Sequence, residues 1–243
     1  CVLLAACSSK GVCESPYAQS PQFKGCGFQN PVNPDALPSA SGWKIWSRFL
    51  FGTKVGTVPV DAIPVQALST AQLDALDVSA NHVVRLGHSS HLLKLMGKFW
   101  LIDPVFGERV SPFSFMGPKR FHAPPLALQQ LPPIEGLVLS HAHYDHLHVP
   151  TIEYLAQRVR RYFVPLGVKA RLVDVGVPDE RVEEFDWWQA GAQEGVGIPA
   201  TPSQRLSDRT LHDRNTKLWD SGERQAAGPS ILYMATQGHI WCV

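Results

Sequence analysis

Apolar residues along this chain gather into short runs broken by Pro, Gly and polar clusters, and strand-like and helix-like periodicities alternate. Residues 81–86 read as a strand that runs into Gly87-His88-Ser89-Ser90. Residues 92–95 and 99–103 are two strand-like runs joined through Gly97, the pattern of a hairpin. Gly136-Leu137-Val138-Leu139 is short, apolar and β-branched at Val138, as a buried strand is. Residues 149–155 then carry Pro150 near a helix start, with apolar positions at helical spacing. Tyr162-Phe163-Val164-Pro165 predicts another strand, residues 170–175 a helix, residues 182–188 a strand entering a loop, and residues 231–234 a late apolar strand. Residues 43–50 predict a short amphipathic helix whose two Trp side chains cover the core. The Pro- and Gly-rich stretch 104–133 predicts a long surface loop, a common component of binding sites. Strands paired early and alternating with helices later predict a layered α/β architecture.

Composition narrows this picture. With 243 residues, 44% of them hydrophobic, the chain can bury one good core in one domain or at most two. A net charge of +1 with 18% charged residues gives no electrostatic footprint for nucleic acid, so no nucleic-acid partner is expected. No apolar run approaches the roughly 18–20 residues of a membrane-crossing helix.

The beginning of the chain points elsewhere. Leu4-Ala5-Ala6-Cys7 resembles the lipobox of a bacterial lipoprotein, with Cys7 as the lipidated residue. On that reading residues 1–42 are a signal stub and a flexible Ser/Pro/Asn-rich tether, and residues 43–243 are the folded domain. The protein would then sit at the periplasmic face of the bacterial cell envelope, held to the membrane by a lipid anchor; a chance match with a cytoplasmic location is the alternative. Cys13 and Cys26 can pair in an oxidising compartment or stay as thiols.

The densest chemistry lies in Ser140-His141-Ala142-His143-Tyr144-Asp145-His146-Leu147, with four potential metal ligands inside six residues. The cluster follows the predicted buried strand and precedes the predicted helix, at a strand's carboxyl end where α/β layers open a crevice. Imidazole and carboxylate without a nearby thiolate suit zinc, manganese or iron(II) rather than a closed structural zinc site. A solvated His-rich loop is the plain alternative, and ligand-type residues alternating across a tight turn argue against it. His82, His91, His122, His148, His212 and His239 read as surface or satisfied structural residues.

The motif His141-x-His143-x-Asp145-His146 after an apolar strand resembles the metallo-β-lactamase superfamily signature. Gly87-His88-Ser89-Ser90, Asp103-Pro104-Val105-Phe106, Gly117-Pro118-Lys119-Arg120-Phe121, Phe163-Val164-Pro165-Leu166-Gly167, Asp186-Trp187-Trp188 and Asp213-Arg214-Asn215 follow one another in the order of one branch. That branch is typified by N-acylphosphatidylethanolamine-hydrolysing phospholipase D, and the resemblance covers roughly residues 81–236.

The resemblance implies a four-layer αββα sandwich, its terminal part missing here, with up to two zinc ions at one edge. It implies that His141 and His143 hold the first metal, that Asp145 and His146 hold the second and act in catalysis, and that Asp103 orients a ligand histidine from the second shell. His88 is placed beside them, also in the second shell. A zinc-bound hydroxide would attack a phosphodiester of a small or phospholipid-like substrate. Two positions depart from the pattern. Arg205 stands where a third histidine is expected, and a guanidinium cannot coordinate a metal. Gln237 stands where a metal-bridging aspartate is expected, and the final histidine would lie beyond Val243. Impaired activity is therefore expected. Lactone or ester hydrolysis, a non-catalytic lipid-tethered homologue and a gene fragment are the alternatives.

Overall fold

The computed structural model describes residues 15–29, 58–111, 119–202, 216–224, 231–234 and 239–242. Cys7, Cys13, residues 43–50, the 42/43 boundary, Arg205, Asp213-Arg214-Asn215 and Gln237 lie outside the described residues.

In chain order come the short hairpin β1 (Phe23–Lys24) and β2 (Gly27–Phe28), the helix α1 (Thr70–Asp74), and the strands β3 (His82–Gly87), β4 (Ser90–Leu95) and β5 (Lys98–Ile102). The strand β6 (Ile134–Val138), the helix α2 (Val149–Leu155), the strand β7 (Val159–Pro165), the helix α3 (Lys169–Asp174) and the strand β8 (Val182–Phe185) follow. The last described strands are β9 (Ala190–Gln193), β10 (Val196–Pro202), β11 (Asp220–Arg224), β12 (Ile231–Met234) and β13 (His239–Cys242).

Two sheets result. One has the order β3-β4-β5-β6-β7-β8, antiparallel from β3 to β5 and parallel from β5 to β8. The other has the order β13-β12-β11-β10-β9 and is antiparallel throughout. The β4–β5 hairpin turns at Met96 (φ 48°) and Gly97 (φ 77°), the paired left-handed conformations of a type I′ turn.

Pleating sends alternate side chains to opposite faces, and the chain uses both faces of the first sheet. Leu92, Leu101, Leu137, Tyr162 and Val164 pack with Leu73 of α1, Ile152 and Leu155 of α2 and Leu172 of α3. Leu93, Leu95, Trp100, Ile102, Phe163 and Phe185 point the other way, onto Val196, Ile198 and Ala200 of β10. A helical layer, a mixed sheet and a second sheet are thus stacked, three of the four layers of the expected sandwich among the described residues. Parallel strands buried on both faces carry apolar runs, which is why the later parts of β6 (from Gly136) and β7 (from Tyr162) were legible. Among the described residues no helix is long and apolar enough to cross a membrane.

Three features differ from the sequence expectations. Residues 15–29, expected as free tether, fold back on the domain: Phe28 is wholly buried with Trp187, Leu218 and Trp219, and Tyr17 and Phe23 pack beside it. Aromatic burial outweighs a composition that otherwise favours a linker. Cys26 is an exposed free thiol in the turn of that hairpin. The stretch 104–133 is not wholly surface, since Val105 and Leu126 are buried and a 3-10 turn forms at Leu128–Gln130. Finally, α1, β9, β10, β11 and β13 were not expected. Helix α1 is a single turn or so, fixed by a capping box between Ser69 and Gln72. Gly191 and Gly197 with Pro199 and Pro202 hide the alternation of β9 and β10.

Trp100 is 1% exposed at the centre of the sheet-to-sheet interface. Trp100→Ala is expected to lower unfolding free energy by about 3–5 kcal/mol in urea titration. A loss below about 1 kcal/mol would mean that the two sheets do not close on this side chain.

Candidate metal centre

Parallel strands deliver the site. Strands β5 and β6 run side by side, so their carboxyl ends place Asp103 next to Ser140, and Asp103 N–H still bonds to Val138 O at 3.0 Å. Asp103 adopts φ 42°, a left-handed conformation that turns its carboxylate back under the next loop. The carboxylate is wholly buried. Its Oδ1 accepts from Ser140 N at 2.8 Å; its Oδ2 accepts from Ser140 Oγ at 2.6 Å and faces His146 Nδ1 at 2.7 Å.

This network fixes two imidazoles. An ionised carboxylate can only accept, so His146 carries its proton on Nδ1 and turns Nε2 toward Asp145, whose Oδ2 lies 3.6 Å away. Ser140 gives its one hydroxyl proton to Asp103, so its oxygen accepts from His141 Nδ1 at 2.9 Å. His141 Nε2 then faces His143 Nδ1 at 3.1 Å.

Two groups of donor atoms form, one of His141, His143 and Asp145 and one of His88, Asp145 and His146, each lying within 4.8 Å of one another. Two ligands about 2.0–2.1 Å from one zinc ion at a tetrahedral angle stand about 3.3–3.4 Å apart. The observed separations of 3.0 to 3.6 Å bracket that value, so both groups have the chemistry and the spacing to hold a divalent metal. Asp145 belongs to both.

Burial pushes the Asp145 carboxyl up. The hydrogen bond from His88 and the positive charge that His146 and His88 carry when protonated outweigh it, holding the acid well below the usual carboxylate range. Asp145 is thus an anion whenever a metal would bind.

The four residues predicted as ligands are brought together, as are Asp103 and His88. Other residues of the site were not foreseen. Ser140 joins Asp103 to His141, and its only sequence signal is a hydroxyl at the end of a buried strand, directly before the first His. Ser89 Oγ donates to Asp145 O at 2.9 Å, and Ser90 Oγ donates to Asp103 O at 2.7 Å. The Arg120 guanidinium, half-buried, donates to the carbonyls of Leu86 and Val105 at 3.0 and 3.2 Å, which ties the β3 end to the loop after β5.

Three of the other histidines bond within the fold, and His212 and the side chain of His239 lie outside the described residues. His82 bonds to Asp77 O, His122 to Ala123 O, and His148 to Thr151 Oγ1. A cleft of about 590 Å³ lies at the opposite edge of the first sheet, between Phe99, Glu135 and Arg158, and it contains no group of ligating side chains.

Residues 100–240 match the Beta-lactamase superfamily domain. The chain belongs to the beta-lactamase superfamily. In this beta-lactamase superfamily chain the stacked sheets are those of the metallo-β-lactamase fold. An uncharacterized protein of Mycobacterium tuberculosis is 35% identical over 211 residues, covering 84% of this chain and 54% of the relative. The N-acyl-phosphatidylethanolamine-hydrolyzing phospholipase D 1 of Caenorhabditis elegans is 35% identical over 143 residues, covering 55% of this chain and 40% of the relative. CmlA, a diiron beta-hydroxylase from Streptomyces venezuelae, is 20% identical with a TM-score of 0.49, over 65% of this chain and 30% of that one. The chain spans about half the length of the curated relatives it matches.

Two measurements test this geometry. Asp103→Ala strands three buried donors and is expected to lower stability by about 3 kcal/mol or more, read by denaturant unfolding. The second concerns His91, which is 4% exposed and whose pKa burial lowers from 6.5 to about 4. The folded chain therefore favours the neutral ring, while the unfolded chain takes up a proton near pH 6.5. Stability from this group is complete above pH 6.5 and is lost as pH falls toward 4, by on the order of 3 kcal/mol. His91→Gln does not titrate, so its stability should fall less than wild type's across that window. Parallel acid profiles would exclude a neutral buried His91.

Proposed function

We propose that this chain is a metal-dependent hydrolase acting on a phosphodiester of a phospholipid-like substrate, with zinc as its metal. The observation that carries the reading is the pair of donor groups that share Asp145 at the carboxyl edge of the parallel strands. In support, the C. elegans relative is named for hydrolysing N-acylphosphatidylethanolamine. His141, His143 and Asp145 would hold one metal, and Asp145 with His146 would hold a second.

Bound there, divalent metal supplies a water acidic enough to ionise near neutral pH and positive charge for a developing oxyanion. The chain's own residues do the rest. Asp103 and Ser140 hold His146 and His141 in the tautomers that turn Nε2 inward. The hydrogen bond from His88 favours the ionised form of Asp145. The partial exposure of His88 and Asp145 leaves a side through which substrate approaches.

The test is hydrolysis of N-acylphosphatidylethanolamine in mixed micelles, followed by phosphatidic acid release with and without added zinc. Zinc-dependent release, lost with chelator and reduced at least about 100-fold in His143→Ala, is the expected outcome. Cleavage of a carboxylic ester or lactone but not the phosphodiester would replace the proposal with esterase chemistry. Bound metal without turnover of either would leave a binding protein.

A further inference from the structure

We propose that His88 is a direct metal ligand through Nε2, completing a three-residue site with Asp145 and His146. This rests on the metal-binding reading above and goes further by moving His88 from bystander to ligand. His88 Nε2 lies 3.0 Å from Asp145 Oδ2, and that same oxygen lies 3.6 Å from His146 Nε2. Both separations match two ligands of one ion, for which about 3.3–3.4 Å is expected. The His88 and His146 rings meet edge to face, 6.0 Å between centroids, and their donor nitrogens lie within 4.8 Å of each other.

The turn that carries His88 is built around the site's two carboxylate residues. It is the β3–β4 hairpin turn, with Gly87 paired to Ser90 and His88 at φ 49°. Each of its other residues is tied down. Gly87, at φ 113°, leaves room where a Cβ would strike the Arg120 guanidinium, and that guanidinium holds Leu86 O. Ser89 holds the Asp145 carbonyl, while Ser90 accepts from Val105 N and donates to the Asp103 carbonyl. Only the His88 side chain reaches out of this frame, and it reaches Asp145. Its imidazole is 49% exposed, so the ion it touches stays open to solvent on one side. Three protein ligands with an open fourth position is the pattern of a catalytic zinc site rather than a structural one. Without His88 the second site would have two ligands from the described residues, too few to hold zinc tightly.

The test uses the metal-free full chain titrated with cobalt(II), read by visible absorption and by X-ray absorption at saturation. The variants are His88→Asn and His88→Gly, both of which tolerate a left-handed backbone, with circular dichroism as the fold control. Wild type is expected to take up cobalt in two phases. Each variant should lose at least about 100-fold in affinity for one phase, more than a supporting partner typically costs, and one imidazole from the coordination count. An unchanged imidazole count with weakened affinity would make His88 a positioning residue for Asp145 and overturn the proposal. Unchanged affinity and spectrum would overturn it while leaving the metal reading intact. Wild type that takes up no cobalt would bring down both. Should one variant unfold, the other carries the comparison.

Discussion

Asp103 is buried to the last atom, and Ser140, His141 and His146 are arranged around the acceptors of its carboxylate. A buried carboxylate must be given hydrogen-bond donors, and this one receives them from Ser140 and His146 across the β5–β6 seam. Those bonds settle the path of the loop after β6, the tautomer of His146 and, through Ser140, the tautomer of His141. The outward-facing nitrogens of both imidazoles are therefore set by a residue that belongs to neither donor group. Removing the carboxylate would disturb fold and site together, because the same donors serve both.

The rest of the fold supplies a platform for that contact. Strands β5 to β8 run parallel, so their carboxyl ends gather loops on one edge, and helices and the second sheet cover both faces. The antiparallel β3–β4 turn is brought to the same edge, which is how His88 meets Asp145 from the opposite direction in sequence. At the other edge, the cleft beside Glu135 has cations whose groups are engaged: Arg160 faces Glu135, and Arg181 donates to the carbonyls of Gln157 and Val159. Among the described residues, the groups of ligand-type side chains lie at one edge of the sheet.

Backbone conformation also marks this edge. His88, Asp103 and Trp188 all take positive φ, at 49°, 42° and 70°, and all three follow strands of the first sheet at or near its metal edge. Such conformations persist where surrounding bonds over-determine them. For Asp103 the determining bonds are those of its own carboxylate; for His88 they are those of Gly87, Ser89 and Ser90.

The sequence alone determined the ligand cluster, the strand before it, the helix after it and the layered α/β class. These are local signals: four ligand-type residues in a tight loop, an apolar run for a strand buried on two faces, Pro at a helix start. Asp103 and His88 were legible only by their resemblance to a known order of motifs, since no periodicity marks a residue 37, 43 or 57 positions from its partners. Tertiary structure alone decided that Ser140 links two histidines, that Ser89 and Ser90 bind the two site carboxylate residues from behind, and that residues 15–29 dock through Phe28 rather than hang free. In β9 and β10, Gly and Pro obscured strands that exist because Trp100, Phe163 and Phe185 need a surface to cover them. Short-range propensity is written along the chain, whereas a hydrogen bond across a strand seam or an aromatic buried from afar depends on which segments the fold brings together.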